Sequence, residues 1–174
     1  MATDFITAFG RLLRDGALRD RLAANPEAAA EQADLSPNDW PAWRQLVPAE
    51  VEFQAGVLLR KRLELVRPLL PETCRRLGDN LWPAFQAYAR YHWPTATNPK
   101  WEDALEFCTR LTRQHPGLVY AAERNRLEFA RSGRRIALYR TILKTARQPV
   151  RPGVQLFLRS RKNGWREISF YLGG

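Results

Sequence analysis

Hydrophobic residues recur at helical spacing from the N-terminus to about residue 132. The first helical segment follows a capping residue at Thr3 or Asp4, and its apolar face consists of Phe5, Ala8, Phe9, Leu12 and Leu13. A long amphipathic helix starts at Pro48 and ends at Pro68, two shorter helices meet at Gly78, and the last helix stops at Gly133. Because the connections are short, this pattern predicts a compact antiparallel helical bundle.

The hydrophobic period shortens after Gly133. The segments RRIALYRTIL, VQLFLRSRK and WREISFYL predict three antiparallel strands; Gln148 to Gly153 is interpreted as a loop, and Asn163-Gly164 joins the last two strands as a hairpin. The predicted fold class is therefore α+β, with a helical domain over residues 1–132 and a C-terminal three-stranded antiparallel sheet over residues 133–174.

A two-residue turn at Asn163-Gly164 also predicts the register of this hairpin. It pairs Lys162 with Trp165, Arg161 with Arg166, Ser160 with Glu167, and Arg159 with Ile168. In this register both faces are apolar at the base and polar at the tip, so we expect the base to be covered on both sides and the tip to protrude into water.

Positive charge is concentrated at the C-terminal end. The formal net charge is +10, and residues 121–174 carry 13 basic and 3 acidic side chains. Such clustering favours an acidic partner, whereas evenly spread charge would not. The excess is mostly arginine, a bias that genome composition can also produce.

Three interpretations of this basic sheet remain open. A free edge at residues 134–141 would accept an extended peptide as an added strand, with candidate peptide-binding residues Arg134, Arg135, Ile136, Leu138, Arg140, Arg159 and Arg161. A basic ribbon would instead bind nucleic acid through Arg159, Arg161, Lys162, Trp165 and Arg166. In the third interpretation, the charges only solvate a protruding turn.

Sequence motifs for catalysis or metal binding are missing. The chain has no phosphate-binding glycine loop, nucleophile elbow or paired-cysteine motif. His92 and His115 are each followed by a proline within two residues, as helix-terminating residues often are. Cys74 and Cys108 are expected to be small buried hydrophobic residues. We therefore expect no catalytic, cofactor-binding or metal-binding residues, and a non-enzymatic protein. No long apolar run or signal-peptide pattern occurs, so the expected location is the cytoplasm.

The order of several segments resembles a known family. The similar parts are Arg62 to Leu77, the pair Leu77-Gly78, Trp82 to Tyr91, Pro94, Phe107 to Leu111, and Ala122 to Glu128. Together with the terminal sheet they resemble, over roughly residues 48 to 172, the partner subunits of multinuclear iron oxygenases that modify ribosomally made peptides. The methanobactin-biosynthesis partner subunit is one example, and a related group is described as DNA-binding domain proteins.

This resemblance implies a heterodimer in which the helical domain docks on the oxygenase and the sheet accepts the leader of a precursor peptide as an added strand. It also implies that the oxygenase holds all of the metal. The leading hypothesis is therefore a non-catalytic peptide-binding partner subunit, possessing no cofactor of its own. The alternatives are a DNA-binding regulator that uses the basic sheet, and an interaction module that only stabilises another subunit.

Overall fold

The computed structural model describes residues 2–95, 98–115, 117–143, 151–160 and 164–172. The chain forms two compact units, Met1–Leu65 with Asp79–Thr97, and Val66–Gly78 with Asn98–Gly174. The predicted α+β fold class is confirmed, since helices precede a three-stranded antiparallel sheet. The predicted domain boundary between residues 132 and 133 remains a prediction.

The first unit is helical. Its helices are α1 (Phe5–Arg14), α2 (Gly16–Ala24), α3 (Pro26–Gln32), α4 (Trp40–Arg44), most of α5 (Pro48–Val66), and α7 (Leu81–Ala89). The Asp4 carboxylate caps α1 by accepting a hydrogen bond from the Thr7 N–H at 2.9 Å, as the sequence predicts. Ser36 precedes a 3₁₀ turn over Pro37–Asp39 and makes no side-chain cap.

An ion-pair network ties together three parts of the first unit. The Arg90 guanidinium donates to Asp20 at 2.5 Å and also to Glu52, whose other oxygen accepts from Arg19 at 2.9 Å. The hydrogen bond from Arg90 lowers the pKa of Asp20, against the opposing effect of burial. The arginines of this network are therefore neutralised within the first unit.

The second unit combines helices with the sheet. It contains α6 (Pro71–Leu77), α8 (Pro99–Gln114), α9 (Ala121–Ser132), β1 (Ile136–Leu143), β2 (Arg151–Ser160) and β3 (Gly164–Tyr171). The helix break at Gly78 and the left-handed stop at Gly133 (φ 66°) agree with the sequence. The buried Glu123 carboxylate on α9 accepts from the Thr73 N–H at 3.0 Å and the Thr73 hydroxyl at 2.7 Å, which satisfies the start of α6.

The three strands pair in the order β1-β2-β3, so β1 and β3 are both edge strands. The predicted hairpin register is wrong, because Arg159 lies opposite Trp165 and Ser160 lies opposite Gly164. The proposed loop from Gln148 to Gly153 is also wrong at its end, since Arg151 to Gly153 begin β2. Proline is tolerated at the start of a strand, and Gly153 fits closely against the Leu143 side chain.

Gly16, at the start of α2, lies close to the backbone of Arg90, and this contact predicts an effect on stability. The Gly16 N–H donates to the Arg90 carbonyl oxygen at 3.0 Å, and a Cβ on residue 16 would lie 2.5 Å from that oxygen. We expect Gly16→Ala to lower the free energy of unfolding by about 1–3 kcal/mol through overpacking.

The matched control is Gly56→Ala in α5, where an added Cβ meets nothing within 4 Å. Because alanine favours helix more than glycine does, this change should stabilise the protein by up to about 1 kcal/mol. Urea denaturation followed by circular dichroism measures both variants, and equal effects of the two changes would contradict the close approach.

Candidate functional site

One face of the sheet is covered by α9. The Phe129 ring on this helix stacks on Phe157 of β2, with centroids 5.0 Å apart, and meets the Trp165 ring of β3 edge-on at 5.9 Å. Tyr139 of β1 packs edge-on against Phe157 at 5.6 Å. This aromatic cluster joins all three strands to the helix.

A polar network extends the same interface. The fully buried Gln155 side chain accepts from the Asn125 amide at 3.0 Å and donates to Glu167 at 2.8 Å, and Arg126 donates to Glu167 at 2.7 Å. Burial by itself raises the pKa of Glu167, but the bonds from Arg126 and Gln155 outweigh it and lower the pKa. Glu167 therefore remains charged at neutral pH and fixes β3 under α9.

Arg159 stabilises the end of α9. Its guanidinium donates to the carbonyl oxygens of Phe129 at 3.1 Å and Ala130 at 3.0 Å, and it also donates to the Arg134 carbonyl oxygen at 3.2 Å. Carbonyl groups in the last turn of a helix have no partner within the helix, and a cation there also complements the helix dipole. These contacts give Arg159 a structural role.

The other face of the sheet is exposed, and we call it the open face. Its residues are Ile136, Leu138, Arg140, Ile142, Val154, Leu156, Leu158, Arg166, Ile168 and Phe170. Leu138 is 68% exposed, Ile142 54% and Phe170 51%. The prediction that both faces are covered is therefore wrong, because α9 covers only the odd-numbered side chains.

Within the part of the chain that the structure describes, no strand pairs with the outer edge of β1. The Arg159 N–H donates to the Arg135 carbonyl oxygen at 2.7 Å, which identifies the hydrogen-bonded pairs of the β1–β2 ladder. These pairs recur every second residue, so Ala137 and Tyr139 bond to β2. The N–H and C=O groups that point away from β2 belong to Ile136, Leu138, Arg140 and Ile142.

The structure separates the residues that the sequence grouped together. Ile136, Leu138 and Arg140 lie on the open edge and the open face, and Arg134 and Arg135 are exposed just before β1. Arg159 and Trp165 lie on the side of α9 instead, whereas Arg166 is exposed on the open face. The predicted residues Arg161 and Lys162 lie outside the described residues.

Sequence reasoning missed three exposed members of the open face, Ile142, Ile168 and Phe170. Strict alternation along β1 was sufficient to find Ile142, since it lies two residues beyond Arg140. Ile168 and Phe170 required the correct hairpin register.

Both cysteines lie in environments that raise the pKa of the thiol. Burial first, and then the charge of Glu123, raise the pKa of Cys74 to about 11 and that of Cys108 to about 12, so both stay thiols at neutral pH. Within the described ranges, no group of three or more His, Cys, Asp or Glu side chains could hold a metal ion. No helix in the described part of the chain is long and apolar enough to cross a membrane.

Comparison with known proteins gives one family match. Residues 40–113 match a family model described as "SCO6045-like, C-terminal domain". The matched segment runs from α4 into α8 and includes neither the sheet nor α9. Neither a curated protein nor a solved structure matches this chain. The chain is thus similar to that C-terminal domain over less than half of its length.

The contacts of Arg159 predict a difference in stability between two arginines of the sheet. We expect Arg159→Ala to lower the free energy of unfolding by about 1–2 kcal/mol, because the carbonyl groups at the end of α9 lose their donor. Arg166→Ala removes an exposed arginine and should change stability by less than about 0.5 kcal/mol. Denaturant titration compares the two variants, and equal losses would contradict the role assigned to Arg159.

Proposed function

We propose that this chain is a non-catalytic partner subunit that binds an acidic precursor peptide as an added strand on β1 and docks on an iron-dependent, peptide-modifying oxygenase. The observation that carries the proposal is the open edge of β1. Its outward backbone groups at Ile136, Leu138 and Arg140 lie beside the exposed Arg134 and Arg135. An unpaired edge of this kind forms main-chain hydrogen bonds with an extended peptide.

The geometry of β1 restricts the peptide. Side chains of a strand alternate between faces, so every second peptide residue would extend the open face beside Ile136 and Leu138. The remaining residues would lie on the helix-covered side, beside Tyr139. The flanking arginines favour carboxylates. The proposed ligand therefore alternates apolar residues with other residues and carries Asp or Glu at the end that lies beside Arg134 and Arg135.

The edge of β3 is less suited to an acidic peptide. The Leu172 N–H donates to the Pro152 carbonyl oxygen at 2.9 Å, so the outward backbone groups of β3 belong to its odd-numbered residues. These include Glu167, whose carboxylate is already paired with Arg126 and offers no cation to a peptide carboxylate. Charge thus favours β1.

The oxygenase half of the proposal has a different basis. It is supported by the resemblance of Arg62 to Leu77 and Trp82 to Tyr91 to the partner subunits of iron oxygenases. The matched family model spans both segments, and its description names no oxygenase. In this proposal the iron is held by the oxygenase.

Nucleic-acid binding is the second choice. Two of its five predicted contact residues, Arg159 and Trp165, already pack against α9. Arg166 remains exposed. The experiments below distinguish a DNA-binding regulator from the proposed peptide-binding subunit.

Replacing an outward amide of β1 tests the strand addition. The probe is a labelled synthetic peptide of alternating aliphatic and acidic residues, and we expect it to bind in the micromolar range. Ile136→Pro removes an outward N–H without removing a bond to β2, so binding should weaken at least about tenfold. Fluorescence anisotropy measures binding, and circular dichroism confirms that the variant is folded.

The matched control is Ser169→Pro, which removes an outward N–H from the opposite edge at an exposed position of β3. Its affinity for the probe should equal that of the unaltered chain. Undiminished binding by Ile136→Pro would refute strand addition on β1, and loss of binding by Ser169→Pro alone would move the site to β3.

A pull-down from the native host at low and high salt tests the choice of partner. Recovery of an iron-binding enzyme in stoichiometric amounts at high salt is the expected result. Recovery of nucleic acid alone, lost as salt rises because phosphate contacts depend on counterion release, would instead support the DNA-binding regulator.

A further inference from the structure

The open face of the sheet has the chemistry of an interior surface. Its aliphatic and aromatic side chains come from all three strands, and Ile136, Leu138, Ile142, Ile168 and Phe170 are all exposed. A sheet face that is exposed to water usually carries polar side chains, while the apolar residues of each strand point to the other face. A contiguous apolar surface with a charged rim is instead typical of an interaction site.

We propose that this open face docks an acidic amphipathic α-helix of a partner protein. The opposite face of the same sheet provides the template, since it is covered by α9, a helix of 12 residues. Three strands about 4.8 Å apart match the roughly 10 Å width of a helix. From Ile136 to Ile142 the apolar stretch spans ~20 Å, which corresponds to about 13 helical residues.

The charges on the open face indicate which type of partner helix would bind there. The strand residues that make up the open face include Arg140 and Arg166 and no Asp or Glu. Among the described residues, neither arginine forms an ion pair with a carboxylate. A helix that buries its apolar stripe here would therefore place its flanking Asp or Glu side chains beside these guanidinium groups.

The same charges disfavour a second copy of this chain. A symmetric dimer through the open face would bring Arg140 and Arg166 of both copies into one interface without a compensating carboxylate. Like charges in an interface select against that partner.

Helix docking and strand addition use different atoms. Strand addition needs the outward backbone groups of β1, whereas the proposed helix also needs side chains on β2 and β3. Changing Ile168 and Phe170 on β3 therefore removes the helix site and leaves the edge of β1 in place. The two proposals can fail separately.

The experiment uses a labelled, stapled helical peptide of about 14 residues, with leucines on one face and glutamates beside them. We expect this probe to bind the full chain, and we expect Ile168→Ser with Phe170→Ser to weaken binding by about tenfold or more. The control is Ile6→Ser with Phe53→Ser, which removes two exposed apolar residues of the first unit and should leave the affinity unchanged.

Probe chemistry provides a second readout. A probe with lysine in place of each glutamate, and one with the leucines spread around the helix, should bind at least about tenfold more weakly. Arg140→Glu with Arg166→Glu should reverse the preference between the glutamate and lysine probes.

Several results would overturn the proposal. The first is no binding of the glutamate probe. The second is equal affinity for the glutamate probe and for the probe whose leucines are spread around the helix. The third is an affinity that the Ile168 and Phe170 changes do not alter. A dimer in sedimentation equilibrium that these two changes dissociate would identify a second copy as the occupant. Tighter binding to anionic lipid vesicles than to the glutamate probe, lost with the same two changes, would identify a membrane surface instead.

Discussion

The packing of α9 against one face of the sheet determines the properties of the C-terminal part of this protein. A small sheet needs a packed hydrophobic face to be stable, and here Phe129 of α9 packs against Phe157 and Trp165. Gln155 adds a buried hydrogen bond and Glu167 a partly buried one to the same interface. Because one helix covers only one face, the packing that stabilises the sheet also leaves the other face and both edges accessible.

The charged residues of the sheet indicate which kind of partner these accessible surfaces would bind. In the first unit, Arg90 and Arg19 are paired with Asp20 and Glu52. Arg140 and Arg166 of the sheet are exposed and lie among apolar side chains. Arg140 and Arg166 are therefore available to a partner, and the partner best suited to them combines apolar with acidic residues. Both the peptide on the edge and the helix on the open face satisfy this requirement.

The sequence predicted the features that depend on local chemistry. Capping and backbone preferences determine four of these features. They are the helix starts marked by Asp4 and Pro48, the helix end at Gly133, and the change in hydrophobic period before β1. The hairpin register was wrong because a turn signal contains no information about distant packing. An odd shift in register reverses the faces of β3, and burial of Trp165 against Phe129 decides between the alternatives. Likewise, the role of Arg159 depends on the end of α9, which is 27 or more positions away from it along the chain.

Residue-specific amide hydrogen exchange tests the central claim, an open β1 edge that receives a peptide strand, most directly. In the free chain, the amides of Ala137, Tyr139 and Thr141 should be protected, while those of Ile136, Leu138 and Arg140 should exchange rapidly. Addition of the alternating acidic peptide should protect the second set. Protection of both sets in the free chain, or no change at Ile136, Leu138 and Arg140 when peptide is bound, would contradict the account.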